Sequence, residues 1–234
     1  HISASAVCFC TSRLTALSTQ LMGAYLCIGG VLLHVTFDGP EPQGLFGDKV
    51  REFVVNERPE REPDVTVAWR DGDPTRVPIG ELVYRPGSIW RMHRSADGRG
   101  HTAVINYPNE GRLMPSASVL EIEPDWSHVR MTESVRSDGW SSALNLGASE
   151  LIVRTRVLTK DGIVFHSSAV NDSGKGVLMV GHSGAGKSTQ SVIWVEQAGA
   201  TVLSDDRVAV RIENGQAVAY GTPWGGTAGI AVNA

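Results

Sequence analysis

Cysteine is scarce and lopsided in this chain: Cys8, Cys10 and Cys27 are the only three in 234 residues, and all lie near one end. An odd number so placed is no disulfide framework, which points to a reducing, cytoplasmic setting. No second Cys/His pair at ligand spacing follows Cys8-x-Cys10, so it reads as incidental and not as half of a zinc site. Excess positive charge is missing too. The 21 Lys and Arg against 25 Asp and Glu leave a net charge of −4, which argues against a nucleic-acid partner. Long hydrophobic runs are also absent. Leu21 to Val35 is interrupted by Gly23, Gly29 and Gly30, and no cluster of Lys or Arg precedes it. It is too short for a membrane span and poor as a signal peptide, so it reads as a sheet strand, Ala24 to Phe37, with no membrane partner.

What is present is ordinary globular composition, 41% hydrophobic and 20% charged, enough for a real core. Two regions are expected. Residues 1–145 read as a β-rich, mostly antiparallel accessory region: short strands divided by turns such as Asp71-Gly72-Asp73-Pro74, Asp97-Gly98 and Pro108-Asn109-Glu110-Gly111. Asp97-Gly98 is the best hairpin signal. A helical piece is expected around Gly47–Val55. His93 and His101 face each other across the hairpin in this reading, without a carboxylate or cysteine at ligand spacing. Trp69, Trp90, Trp126 and Trp140 are scattered singly and read as packing. Residues 146–234 change texture: a helix from Leu146 with Ala148, Leu151, Ile152, Thr155 and Leu158 at helical intervals, then strand, strand, helix and strand. That order reads as an α/β nucleotide-binding unit. The ending Val232-Asn233-Ala234 straight after a glycine-rich turn suggests a core truncated at its C-terminus.

The most informative stretch is Gly181-His182-Ser183-Gly184-Ala185-Gly186-Lys187-Ser188, which follows the apolar run Val177 to Val180 and opens a helix over Lys187 to Gln197. In that setting G-x-x-x-x-G-K-[ST] is a phosphate cradle. Glycines at 184 and 186 let successive N–H groups converge on an anion at a helix N-terminus. Lys187 reaches β- and γ-phosphate oxygens, and the Ser188 hydroxyl is a ligand for Mg²⁺. ATP and Mg²⁺ are therefore the expected cofactors, bound by Gly181, Ser183, Gly184, Ala185, Gly186, Lys187, Ser188 and Thr189.

Asp205-Asp206 sit at the carboxyl end of the next apolar strand, where ligands collect in an α/β sheet. One of the two can hold the Mg²⁺ through its waters while the other takes or gives a proton. His166, in Val164-Phe165-His166-Ser167-Ser168-Ala169-Val170, lies on the strand before the loop strand and is a candidate third member.

Taken together, His166-Ser167-Ser168-Ala169-Val170, the 181–189 stretch and Leu203-Ser204-Asp205-Asp206 resemble HPr kinase/phosphorylase and its paralogues, a group that shares a catalytic core with ATP-dependent phosphoenolpyruvate carboxykinase. The likeness covers about Leu151 to Trp224. It implies an α/β P-loop core of that type behind the β-rich region, and transfer of the γ-phosphate of ATP to a hydroxyl, serine in that family, of a small protein or peptide. It also implies roles: Ser188 and Asp206 on Mg²⁺, Asp205 as base, Lys187 on the phosphates, His166 beside the metal and the reacting phosphate. HPr kinases carry Glu after the loop serine, where this chain has Thr189. Two alternatives stand beside the kinase: a non-catalytic ATP-responsive binding module, and a carboxykinase-like enzyme on a small organic acid.

Overall fold

The computed structural model describes residues 2–3, 22–86, 90–105, 117–135 and 140–226. Cys8, Cys10, the Pro108–Gly111 turn and the Val232–Ala234 ending lie outside these residues. After β1 (Ile2–Ser3), the apolar run read as one strand is two. Gly29 and Gly30 both take left-handed backbone, φ 59° and 71°, which a two-residue hairpin turn requires and side-chained residues resist. The run folds back as β2 (Gly23–Ile28) on β3 (Val31–Thr36), with Ile28 opposite Val31. The helical piece shrinks to α1 (Asp48–Arg51), followed by β4 (Val54–Val55).

Six further strands complete this half: β5 (Val65–Asp71), β6 (Ile79–Tyr84), β7 (Trp90–Ser95), β8 (His101–Ile105), β9 (Ser118–Ile122) and β10 (His128–Glu133). They form a nine-stranded sheet in the order β4-β2-β3-β5-β10-β9-β8-β7-β6. Its pairings are antiparallel except β3–β5 and β5–β10. The Asp97-Gly98 hairpin is present between β7 and β8, but its register sets His93 opposite Thr102 and Arg94 opposite His101. Because neighbours on a strand point to opposite faces, His93 and His101 do not face each other.

The second half holds α2 (Gly147–Leu158), β11 (Gly162–Asp172), β12 (Lys175–Val180), α3 (Lys187–Ala198), β13 (Thr201–Ser204), β14 (Arg207–Glu213) and β15 (Gln216–Tyr220). The helices and strands fall close to where the sequence places them, yet the α/β fold class expected from their order is overturned. The chain is mostly β-sheet in two sheets, with three α-helices among the described residues. In the six-stranded sheet every pairing but β1–β15 is antiparallel. Strands β12 and β13, joined by α3, both pair antiparallel with β11 over Ala169–Asn171, so β11 runs between them in the opposite direction. A parallel α/β core would set such strands side by side. Order along the chain was read as adjacency in the sheet, and adjacency depends on long-range pairing that local pattern does not carry.

One apolar cluster joins the halves. It runs from Ile28, Leu33, Val67 and Met131 of the large sheet through Ala148, Ile152, Val153 and Val157 of α2 to Ala209 and Val218. The buried face of α2 thus passes through Val153 and Val157, and Leu158, expected on that face, is exposed. Polar groups pin the same seam. Glu133 is 2% exposed and accepts from Trp69 Nε1 (2.8 Å), Ser142 Oγ (2.6 Å), the Ala143 N–H (2.7 Å) and Ser118 Oγ. Trp69 in turn packs on Trp140, ring centroids 5.9 Å apart. Asp64 accepts from the Leu32 N–H, Lys160 Nζ and Arg61 at 2.8, 2.7 and 2.9 Å. No helix among the described residues is long and apolar enough to cross a membrane.

Glu133→Ala should destabilise the protein by about 3 kcal/mol or more in urea titrations, because four donors lose their acceptor in the core, with Glu133→Gln costing less. Burial pushes the Asp64 carboxyl up, but the bonds from Lys160, the Leu32 N–H and Arg61 outweigh it and hold the pKa below the usual value. A depressed folded-state pKa means that Asp64 contributes full stability above about pH 4 and loses it as the pH falls further. Asp64→Asn should therefore lower stability at pH 7 by about 1–3 kcal/mol and flatten the acid limb of a stability–pH curve.

Candidate functional site

Strand β11 changes partners at its middle. From Gly162 to His166 it pairs with β14, His166 opposite Arg207, and from Ser167 it pairs with β12, Ser167 opposite Val180. Only Asp205-Asp206 separates β13 from β14, so this short link must cross β11 at the changeover. It is held there by main-chain oxygens: the Asp206 carbonyl accepts from the Ser167 N–H, and the Asp205 carbonyl from Ser168 Oγ, each at 3.1 Å. Strand β12 runs out at the same level, and the 181–186 loop begins there. Three segments distant in sequence thus meet at one point on β11.

In the loop, Gly184 and Gly186 have φ 82° and 86°. No atom lies within 4 Å of where a Cβ would stand on either, so glycine is required by backbone conformation and not by crowding. Gly186 caps α3, whose first-turn N–H groups have no intrahelical acceptor and carry the positive end of the helix dipole. Lys187 folds back over the loop. Its Nζ donates to the Gly181 and His182 carbonyls at 2.9 and 3.2 Å and stands 3.4 Å from His166 Nε2. Among the described residues no carboxylate lies within ion-pair distance of Lys187. An ammonium whose partners are carbonyls and an imidazole, beside a helix N-terminus, is chemistry suited to an anion.

The opposite wall is acidic. Asp205 is 4% exposed, and its Oδ1 accepts from the Gly226 N–H at 2.7 Å. Asp206 receives the Arg207 guanidinium on one oxygen, while its Oδ1 lies 3.0 Å from His166 Nδ1. In the tautomer protonated on Nδ1, the imidazole Nε2 accepts from Lys187 and Nδ1 donates to Asp206. Arg207 Nη1 approaches the same nitrogen at 2.6 Å, so the other tautomer accepts from Arg207 instead. Arg207 is also anchored by Glu150, Nε to Oε1 3.1 Å.

Ser183, Gly184, Gly186, Lys187, Ser188 and Thr189 line one cleft of about 420 Å³ together with His166, Asp205, Asp206 and Gly226. Of the residues expected from sequence, only Gly181 and Ala185 stand outside its lining. Gly181 supplies a carbonyl to Lys187, and the Ala185 N–H donates to the His182 carbonyl at 3.2 Å. The arrangement fits a polyphosphate, with open ground in front of two left-handed glycines and an uncompensated cation. For a metal the protein offers little by itself: among the described residues no group of three or more His, Cys, Asp or Glu converges. The Ser188 hydroxyl and the Asp206 carboxylate suit Mg²⁺, which keeps waters and shares phosphate oxygens, and do not suit zinc.

Sequence reasoning missed Arg207, Glu150 and Gly226. Arg207 directly follows the acidic pair, which was a usable signal. Glu150 reads locally as a first-turn helix acid, and nothing near Gly226 in the sequence announces that its N–H reaches Asp205. No protein-family model, curated protein or solved structure matches this chain.

Gly186→Ala should cost about 1–2 kcal/mol in thermal or urea unfolding although the added methyl meets nothing, because a left-handed φ penalises any Cβ.

Proposed function

We propose that this chain is an ATP- and Mg²⁺-dependent kinase that transfers the γ-phosphate to a hydroxyl, a serine, of a small protein or peptide. The observation that carries the reading is the single cleft in which the glycine loop and Lys187 face His166, Asp205 and Asp206. The loop amides and Lys187 bind the phosphate tail and balance its charge, which is the larger part of catalysis in phosphoryl transfer. Mg²⁺, held through Ser188 and Asp206, would neutralise charge on the phosphate oxygens. Asp205 takes the proton of the acceptor hydroxyl as that oxygen bonds to phosphorus and the bond to ADP breaks. Gly226 orients Asp205 through its N–H, and His166 holds Asp206 and Lys187 at a fixed separation.

The same observations bear on the alternatives. Because Asp206 is already engaged by Arg207 and His166, a nucleotide-responsive module without transfer is the second reading. A carboxykinase-like site needs unpaired basic groups for an organic acid in addition to Lys187, and Arg154 and Arg207 both pair with Glu150.

Lys187→Ala should weaken Mg·ATP binding by about 30-fold or more, measured by calorimetry. Asp205→Asn should keep nucleotide affinity within a few-fold while transfer from radiolabelled ATP falls by about 10²–10⁴. Near-normal transfer by Asp205→Asn would remove the base assignment. Binding without transfer or hydrolysis in the unsubstituted protein would leave the module.

A further inference from the structure

The cleft does not end at Asp206. A second cavity of about 550 Å³ adjoins it, and Asp206 lines both. One wall of this neighbour is apolar: Trp90 from β7, Leu146 and Leu151 at the start of α2, and Trp224 after β15. Trp224, 2% exposed and with Nε1 donating to Ser149 Oγ at 2.8 Å, forms the buried floor of the cavity. Leu146 is 52% exposed. The remaining wall carries charge, but that charge is matched internally. Glu150 Oε1 receives Arg154 Nε and Arg207 Nε, both at 3.1 Å, and Arg207 continues to Asp206. A charged ligand group finds no unpaired counter-charge here, whereas an apolar group finds four apolar side chains.

The size and outline narrow the occupant. The volume exceeds what one side chain fills and lies within the range of ligand pockets. Tyr84, its ring 5.8 Å from Trp90 and 57% exposed, carries the apolar wall outward onto the end of β6. A wall that continues from a cavity onto a strand suits a chain molecule better than a compact one.

We propose that this cavity holds the acceptor: a peptide segment whose accepting serine is flanked by a large uncharged apolar side chain, seated against Trp90, Leu146 and Trp224 while the hydroxyl reaches the cleft past Asp206. The assignment rests on the kinase reading of the cleft. Its new content is the acceptor's chemistry. In the transfer the serine oxygen gains the phosphoryl group, the bond to the β-phosphate oxygen of ADP breaks, and the hydroxyl proton passes to Asp205.

The test uses nine-residue peptides with a central serine in a Gly/Ala background, flanked on both sides by Leu, Phe, Asp or Lys, with Mg·ATP and the whole chain. Leu- and Phe-flanked peptides should exceed Asp- and Lys-flanked ones in kcat/KM by about tenfold or more. Leu146→Asp should erase that preference by raising KM for the Leu-flanked peptide, while Leu146→Met retains it; the melting temperature of each variant reports folding. A preference for charged flanks, or a Leu146→Asp profile equal to the unsubstituted one, overturns the acceptor assignment and leaves the kinase standing. Absence of Mg·ATP binding, or of transfer to every peptide, sinks the kinase reading and the acceptor assignment with it.

Discussion

Strand β11 exchanges β14 for β12 and β13 between His166 and Ala169, and that changeover is the constraint on which the rest of the site depends. A two-residue link between β13 and β14 has no slack, so once those strands pair with β11 the carboxylates of Asp205 and Asp206 have nowhere to go but across it. The Ser167 N–H and the Ser168 hydroxyl then fix the link through its carbonyls. Register does the positioning here, and a slip of one residue on β11 would turn His166 to the opposite face.

Across the cleft the logic is electrostatic. The loop presents amides, a helix N-terminus and an ammonium whose partners are carbonyls and an imidazole, all of one sign and close together. Such a grouping is costly without an anion and favourable with one. The acids of the facing wall are each restrained by a donor, Asp205 by the Gly226 N–H and Asp206 by Arg207 and His166. Charge is thus kept apart, with His166 between Lys187 and Asp206, instead of collapsing into a Lys–Asp pair. His166 stands between, near Lys187 on one nitrogen and Asp206 on the other.

The cleft is held by a seam well away from it. Helix α2 contributes Ile152 and Val157 to the common core and Glu150 to Arg207, so the packing that joins the two sheets also sets the Arg207 guanidinium. Glu133 and Asp64 tie the same seam with buried or half-buried bonds. Buried carboxylates with full sets of donors make a poor general source of stability, but they define one arrangement among the alternatives.

Local chemistry was legible in the residues alone. The glycines at 184 and 186, Lys187 and Ser188 in the helix that follows, the acid pair after an apolar strand and the histidine of β11 all declare themselves, because loop conformation and helix initiation are decided within a few residues. The hairpin at Asp97-Gly98 was legible for the same reason. A turn hidden inside an apolar run, Gly29-Gly30, was overlooked because hydrophobicity spoke louder than two glycines. What tertiary structure alone decided is which strands are neighbours. Placing β11 between β12 and β13 made the sheet antiparallel where sequence order suggested a parallel core, and the fold brought Glu150 to Arg207 and Gly226 to Asp205, 57 and 21 residues apart in the chain. Strand adjacency depends on the energy of pairings across the whole fold, which no local window contains.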